Sequence, residues 1–337
     1  MPLPPNPGLL STLLLDWPTL SAAAVLLVAC LAAVAYAAAC AVVAQRFTRA
    51  RRKRPELAQQ HPALADAAVR FPARDGRAML EGWYLPAWPR AGAVVFVHGK
   101  DACRGDELKS PTYALAQSLR ARGLSVLMLD LRGHGESSDA RLTYSEHERH
   151  DVLGAVDFLL GQGYAPGCIG LLGASMGAST ALRAAAAEQA VGGVVADTPF
   201  ADLAAMLRTQ FRRLTGLPMW FLPGALLMGR LLSGVHPARV RPVDEMPRLR
   251  GRPVLVIHSQ ADPLIPLAHG RMLARAAGGR LWVTQAPRHI GSYLAMEHTY
   301  TAVVSDFFCR HLLGDAIDHA RSANDASGRA DAGVAAA

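Results

Sequence analysis

A five-residue segment, Gly173-Ala174-Ser175-Met176-Gly177, constrains the fold of this chain more than any other feature. It follows an apolar run at 169–172, typical of a buried strand, and leads into an Ala-rich run at 176–188, typical of a helix. A turn that joins a strand directly to a helix crowds the backbone, so only small residues such as Gly173 and Gly177 fit beside the serine. The segment therefore predicts a strand–turn–helix unit that exposes Ser175. An ordinary Gly-rich turn is the alternative, because five letters recur by chance.

A serine on such a turn becomes a nucleophile only if a base takes its proton and a carboxylate orients that base. In this arrangement the carboxylate and then the histidine follow the serine along the chain. Asp262 and His289 each come shortly after an apolar strand-like run, where open α/β sheets place their sites. We expect Ser175, His289 and Asp262 to be nucleophile, base and acid. If Asp262 only forms a turn, Asp197 or Asp202 would supply the carboxylate.

The negative charge that develops on an attacked carbonyl oxygen needs hydrogen-bond donors. The backbone N–H of Met176, directly after the serine, is the first expected donor of this oxyanion hole. The second comes from the loop after the apolar run Val94–Val97, where Lys100 is the best candidate and Asp101 is the alternative. A solvated loop lysine is the ordinary interpretation of the Lys100 side chain.

Apolar runs alternate with helical patterns over most of the chain. We expect strands at 69–73, 78–85, 94–98, 125–130, 168–173, 191–197, 253–258 and 280–285. We expect helices at 113–122, 147–160, 176–188, 267–277 and 300–313. This alternation predicts an α/β fold with a mostly parallel central sheet and helices on both faces.

Residues from about 199 to 247 interrupt the alternation. Leu203, Met206, Leu207, Phe211 and Leu214 recur at helical spacing, and an apolar stretch at 217–234 follows them. Prolines within that stretch make it a poor continuous transmembrane helix. An insertion between two strands of the sheet is better explained as a helical cap over the site. If the cap touches a membrane, Trp220 and Phe221 are its natural interfacial residues.

Near the N-terminus, Ala22–Ala44 is an uninterrupted run of 23 residues drawn only from Ala, Val, Leu, Cys and Tyr. As a helix it spans the ~30 Å hydrocarbon core of a bilayer. A cleaved signal peptide is the alternative, but no Lys or Arg precedes the run and it is longer than a typical signal core. We therefore expect a single-pass membrane anchor.

Six of the nine residues from Arg46 to Arg54 are basic, and they account for much of the net charge of +8. A basic cluster directly after an apolar run is typical of a flank that faces anionic lipid, with a nucleic-acid-binding arm as the weaker alternative. The positive-inside rule then places residues 46–337 in the cytoplasm. No nucleic-acid partner is expected.

Metal and cofactor sites are not indicated by the sequence. The five cysteines are irregularly spaced and form neither a disulfide framework nor a CxxC pair. His147 and His150 lack the further ligands that a zinc site needs. The Gly-rich segment Asp130–Ser137 matches no phosphate-binding loop.

The chain from about Val69 to Leu313 resembles the α/β-hydrolase superfamily, within it the esterase and serine-aminopeptidase-like branch that includes membrane-tethered lipid hydrolases. The resemblance is carried by Val97-His98-Gly99, Asp130-Leu131-Arg132-Gly133-His134-Gly135, the serine segment, Asp262-Pro263-Leu264-Ile265-Pro266 and His289. It departs at Ser259, where such proteins usually have glycine, and at Lys100–Gly105. The resemblance implies a serine hydrolase that cleaves an ester or thioester with an apolar acyl part, with small-molecule or lipid-like substrates. A peptidase or amidase on the same three residues, and a catalytically silent membrane-tethered binding protein, are the alternatives.

These expectations divide the chain into five parts. They are a short N-terminal segment at 1–18, a transmembrane helix at 19–45, a basic juxtamembrane linker at 46–66, the hydrolase domain at 67–313 and a disordered tail at 314–337. On this division, a chain that starts near Ala63 would be soluble, retain all three proposed catalytic residues and hydrolyse small esters.

Overall fold

The computed structural model describes residues 17–56, 61–64, 66–108 and 112–314. Most of the expected N-terminal segment, some of the expected linker and nearly all of the expected tail lie outside the described residues.

The described residues form one eight-stranded sheet. Its strands are β1 (Ala68–Pro72), β2 (Met79–Leu85), β3 (Gly92–Val97), β4 (Leu124–Leu129), β5 (Ile169–Ala174), β6 (Val191–Asp197), β7 (Val254–Ser259) and β8 (Arg280–Thr284). The spatial order is β1-β2-β4-β3-β5-β6-β7-β8. Strand β2 pairs antiparallel with both β1 and β4, whereas β3 to β8 all run parallel to one another. The mostly parallel sheet is thus the expected one, with each strand end within about two residues of its predicted place.

Helices surround this sheet and precede it. They are α1 (Trp17–Thr48), α2 (Tyr113–Ala121), α3 (Glu148–Gly161), α4 (Met176–Ala187), α5 (Leu203–Thr215), α6 (Leu222–Ser233), α7 (Pro242–Glu245), α8 (Leu267–Ala277), α9 (Ser292–Ala295) and α10 (Glu297–Phe308). Short 3₁₀ turns lie at Pro62–Leu64, Met219–Phe221, Pro237–Arg239 and Met246–Leu249, and a π turn at Cys309–Leu313 extends α10.

Both faces of the sheet are buried under helices. Val95 of β3 belongs to a buried cluster with residues of α3, α4 and α8 on one face, while Phe96 belongs to a cluster with residues of α2 and α10 on the other. Successive side chains of a strand point to opposite faces, so a strand covered on both sides must be apolar at every position. This is why β3, β4 and β5 are buried along their full length.

The insertion between β6 and β7 is helical, as predicted, and consists mainly of α5 and α6. Both helices end at a glycine in the left-handed conformation, Gly216 at φ 74° and Gly234 at φ 75°. Their apolar faces form two small clusters of their own, separate from the sheet core. The two helices therefore stand as a cap at the carboxyl ends of the parallel strands.

Helix α1 is long and apolar enough to cross a membrane. Residues 21–35 are exposed, but from Tyr36 onward the helix packs along α6. Cys40, Val43 and Ala44 are buried there, and Val43 shares a core cluster with Phe211 and Leu222 of the cap. The end of the apolar helix is therefore part of the folded domain.

Candidate active site

Ser175 lies in a strained turn between β5 and α4. Its backbone has φ 53° and ψ −117°, a conformation that residues other than glycine rarely adopt. A Cβ added at Gly173 would lie 2.4 Å from the Gly177 carbonyl oxygen, and one at Gly177 would lie 2.2 Å from the Val97 oxygen. Both glycines are therefore required by close backbone packing.

Two hydrogen bonds connect the three residues that the sequence proposed for catalysis. The Nε2 atom of His289 lies 2.8 Å from the Ser175 Oγ, and its Nδ1 atom lies 2.8 Å from Asp262 Oδ2. Asp262 follows β7 and His289 follows β8, so parallel strands deliver both side chains to the edge of the sheet where Ser175 lies.

Asp262 is held as a carboxylate inside the protein. Its side chain is fully buried, and burial alone would raise its pKa. The hydrogen bond from His289 and two backbone donors, Leu264 N and Ile265 N, each at 2.7 Å from Oδ1, outweigh burial and lower the pKa below its ordinary value. A buried carboxylate with fixed orientation can hold the histidine ring in place.

Both alternative acids have other roles in the structure. Asp202 caps α5, with its side chain accepting from Ala205 N at 2.9 Å. Asp197 is buried at the end of β6, where its Oδ1 accepts from the Thr198 hydroxyl at 2.8 Å and its backbone oxygen accepts from Ser175 N at 2.8 Å. Burial raises the Asp197 pKa to about 7. It is Asp262 that lies against His289.

The expected oxyanion donors border the same space as the serine. Met176 is the first residue of α4, so its backbone N–H has no acceptor within the helix. Lys100 follows β3 and lines the cavity beside Ser175. Its ammonium group lies 2.9 and 2.8 Å from the carboxylate oxygens of Asp101, so this side chain is engaged by its neighbour.

A cavity of about 250 Å³ opens above the serine. Ser175, His289, Met176 and Lys100 line one part of it. Asp101 also lines this cavity, and the apolar side chains from the cap and the strand-end loops are Phe200, Met206, Leu207, Leu214, Leu264, Ile265 and Ile290.

Three further residues of this cavity, Arg46, Phe47 and Tyr144, were missed in the sequence. The first two come from the end of α1, more than 100 positions before the serine. One signal was available: Phe47 is a large apolar residue inside an otherwise polar and basic stretch, and such a residue needs a partner. Tyr144 fixes the contact, since its hydroxyl donates to the Phe47 carbonyl at 3.0 Å.

The basic cluster after α1 is bound to the domain, whereas the sequence suggested a linker with a lipid-facing flank. Lys53 pairs with Asp106 at 3.0 Å, and the Arg52 guanidinium donates to the carbonyl oxygens of Gly133 and Ser137. The Arg51 backbone N–H donates to Asp101 at 2.8 Å. These contacts hold the basic stretch against the domain, and the side chains at 51–54 remain exposed.

Comparison with known protein families gives a match over most of the sheet and the site. Residues 94–306 match the model of the alpha/beta hydrolase family, which is more than half of the chain. The chain belongs to this family. The match begins in β3 and ends in α10, so it includes the serine turn and both partner loops.

The chain is also similar to individual proteins and solved structures. The uncharacterized protein YqkD of Bacillus subtilis is 34% identical over 194 residues, which cover 55% of this chain and 62% of that protein. The uncharacterized protein Rv2307c of Mycobacterium tuberculosis is 30% identical over 225 residues, covering 66% of this chain and 70% of that one. The structure of the Pyrococcus furiosus esterase Pf2001 superimposes with a TM-score of 0.64 at 21% identity, over 79% of this chain and 98% of the esterase. That likeness shows the α/β-hydrolase fold. The matched region spans less than two thirds of the length of YqkD.

Proposed function

We propose that this hydrolase is a serine esterase, of the carboxylesterase or lipase type, that cleaves a carboxylic ester or thioester with an apolar acyl part. The observation that carries the proposal is the continuous chain of hydrogen bonds from Ser175 Oγ through both ring nitrogens of His289 to Asp262. This chain activates a hydroxyl nucleophile without a metal or cofactor.

The geometry suggests a two-step reaction. Ser175 Oγ attacks the carbonyl carbon while His289 Nε2 takes the hydroxyl proton, and Asp262 stabilises the resulting imidazolium through Nδ1–H. The backbone N–H groups of Met176 and Lys100 are proposed to stabilise the oxyanion. His289 then protonates the leaving alcohol or thiol, and a water activated by the same ring hydrolyses the acyl-enzyme.

The cavity lining supports an apolar acyl group. Most of the side chains around the serine are aliphatic or aromatic, and they would leave the polar backbone of a peptide without hydrogen-bond partners. An amide substrate therefore ranks second. The complete hydrogen-bonded set argues against a silent binding protein, which has no need of an ordered nucleophile and base.

We further propose that α1 anchors the protein in a membrane as a single span, with the hydrolase domain in the cytoplasm. The exposed apolar residues from Val25 to Val34 need a lipid environment. The burial of Cys40, Val43 and Ala44 against the cap favours a retained helix over a cleaved signal peptide, because cleavage would expose that part of the cap.

Hydrolysis of p-nitrophenyl acetate by the wild type and by Ser175→Ala tests the catalytic proposal. We expect the variant to lose about 10⁴-fold or more in kcat, since the acyl-enzyme cannot form. Ser118→Ala is the matched control, because Ser118 lies on α2 with its hydroxyl bonded to its own helix at Ala114. Equal activity of the wild type and Ser175→Ala would refute the proposal.

A further inference from the structure

A second, smaller cavity of about 50 Å³ lies between the end of α1 and the cap. Val43 and Ala44 of α1 form one wall, and Phe211, Leu222 and Ala225 of α5 and α6 form the other. Its lining is almost entirely apolar. A cavity of this kind holds water poorly and favours an apolar occupant.

The small cavity and the active-site cavity meet at three shared side chains, Phe47, Tyr144 and Leu207. Phe47 and Tyr144 are held together by the hydrogen bond from the tyrosine hydroxyl to the Phe47 carbonyl. The helix end is fixed beside them, since Thr48 O accepts from Leu142 N at 2.8 Å. The small cavity therefore borders the active-site cavity, these three side chains form their common wall, and together the two cavities occupy the space from the serine to the surface of α1.

We propose that this space is the acyl-chain subsite, and that the end of the membrane helix is one wall of the substrate-binding site. The inference rests on the proposed esterase function and adds the substrate class: esters whose acyl chain is long enough to pass Phe47. The carbonyl carbon lies at Ser175 and the chain extends past Phe47 and Leu207 between α1 and α6. Each methylene that leaves water there raises kcat/KM by roughly fourfold.

Gly229 allows this subsite to be filled without disturbing the backbone. It lies in α6, is buried and lines the small cavity. A Cβ built at this position meets no heavy atom of the described residues within 4 Å. Gly229→Leu should therefore occupy the space intended for the chain, while replacing glycine within a helix favours the helix.

The matched control is Gly161→Leu. Gly161 is also a helical glycine, at the end of α3, and an added Cβ there likewise meets no described heavy atom within 4 Å. Gly161 is not among the residues that line either cavity. The same change of side chain is thus made inside and outside the proposed subsite.

The experiment compares kcat/KM for p-nitrophenyl acetate, octanoate and dodecanoate in full-length wild type and variants. We expect the wild type to prefer the longer esters, and Gly229→Leu to lose about tenfold or more on these while acetate hydrolysis stays within about twofold. Gly229→Ala should fall between the two, and Gly161→Leu should match the wild type.

Two outcomes would overturn the inference while leaving the esterase proposal intact. One is a wild type that hydrolyses acetate without any preference for longer chains. The other is a folded Gly229→Leu or Gly229→Ala whose chain-length profile equals that of Gly161→Leu. Absence of acetate hydrolysis in every protein, by contrast, would refute the esterase proposal itself.

Discussion

Two carboxyl groups at the ends of neighbouring strands, Asp262 and Asp197, show how surroundings set the role of a residue. Asp262 accepts from His289 and from two backbone N–H groups, which hold its pKa below the ordinary value despite burial. Asp197 is equally enclosed but is offered fewer donors, and burial raises its pKa to about 7. Only the first is suited to stabilise an imidazolium at neutral pH.

This difference predicts opposite results for one substitution made at two positions. Asp262→Asn should lower kcat by about 10⁴-fold, because an amide cannot hold the required ring tautomer of His289. Asp197→Asn should keep most of the activity. The test is to measure kcat of both purified variants on the same ester. If Asp197→Asn lost most of its activity and Asp262→Asn kept most of it, the catalytic acid would be Asp197, at the end of β6.

The raised pKa of Asp197 also predicts a pH-dependent stability. The unfolded chain releases this proton near 3.8, whereas the folded protein keeps it until about 7. The stability that the protonated carboxyl contributes is therefore fully present below pH 3.8 and is lost as the pH rises to about 7. The Asp197→Asn variant has no carboxyl group to ionise at this position. The Tm of the variant minus the Tm of the wild type should therefore increase as the pH rises from 3.8 to about 7. A Tm difference that does not change with pH would contradict this prediction.

Residues that act through a local pattern could be predicted from the sequence, and those that act through distant contacts could not. Gly173, Ser175 and Gly177 follow from the geometry of one turn, and Asp262 and His289 follow from strand ends. Phe47 reaches the same cavity through the packing of α1 on the cap. No spacing within the chain encodes that contact.

At the scale of elements, the strands and the cap were predictable, but the position of α1 was not. The strands are continuous apolar runs because both faces of the sheet are covered. Helix α1 looked like a membrane span followed by a linker, because its composition is apolar throughout. Its contact with the cap joins residues about 180 positions apart, as in the bond from the Tyr36 hydroxyl to the carbonyl of Trp220, in the turn before α6, at 3.2 Å.

The docked helix changes the expectation for a shortened chain. A protein that begins at Ala63 retains Ser175, Asp262 and His289 but uncovers the faces of Phe211 and Leu222 and loses Phe47 from the cavity. We expect it to have a lower Tm, to aggregate and to hydrolyse long-chain esters poorly.

A protein that begins at Tyr36 is the matched comparison, since it keeps the docked turns and removes the exposed ones. Its Tm and its activity on octanoate esters should remain close to those of the full-length protein. If the two shortened proteins had the same Tm and the same activity on octanoate esters, the docked end of α1 would contribute neither to stability nor to substrate binding.

For the whole molecule, the packing of α1 limits how the domain meets a bilayer. The last turns of the predicted span at 22–44 pack on the cap, so the proposed span moves toward the N-terminus. From Trp17 to Tyr36 the helix rises about 28 Å, close to the thickness of the hydrocarbon core. Tyr36 stacks on Trp220, which is 61% exposed, so the 3₁₀ turn between α5 and α6 would lie where the helix leaves the membrane. The acyl subsite would then begin close to the lipid surface.

The proposed topology predicts the behaviour of reporters fused to the C-terminus. Alkaline phosphatase, which is active only when exported, should be silent there, and a cytoplasmic fluorescent protein should fluoresce. The reason is the excess of Lys and Arg after the helix, which favours retention of that side in the cytoplasm. An active phosphatase fusion would reverse the orientation.

The proposed function depends on Ser175 being an activated nucleophile. A fluorophosphonate that reacts only with such serines can be added to the protein, and the labelled peptides can be identified by mass spectrometry. We expect one adduct on Ser175 in the full-length protein, with slower labelling in Asp262→Asn and none in Ser175→Ala, while both variants remain folded. An adduct on another residue, or undiminished labelling of Ser175→Ala, would contradict it.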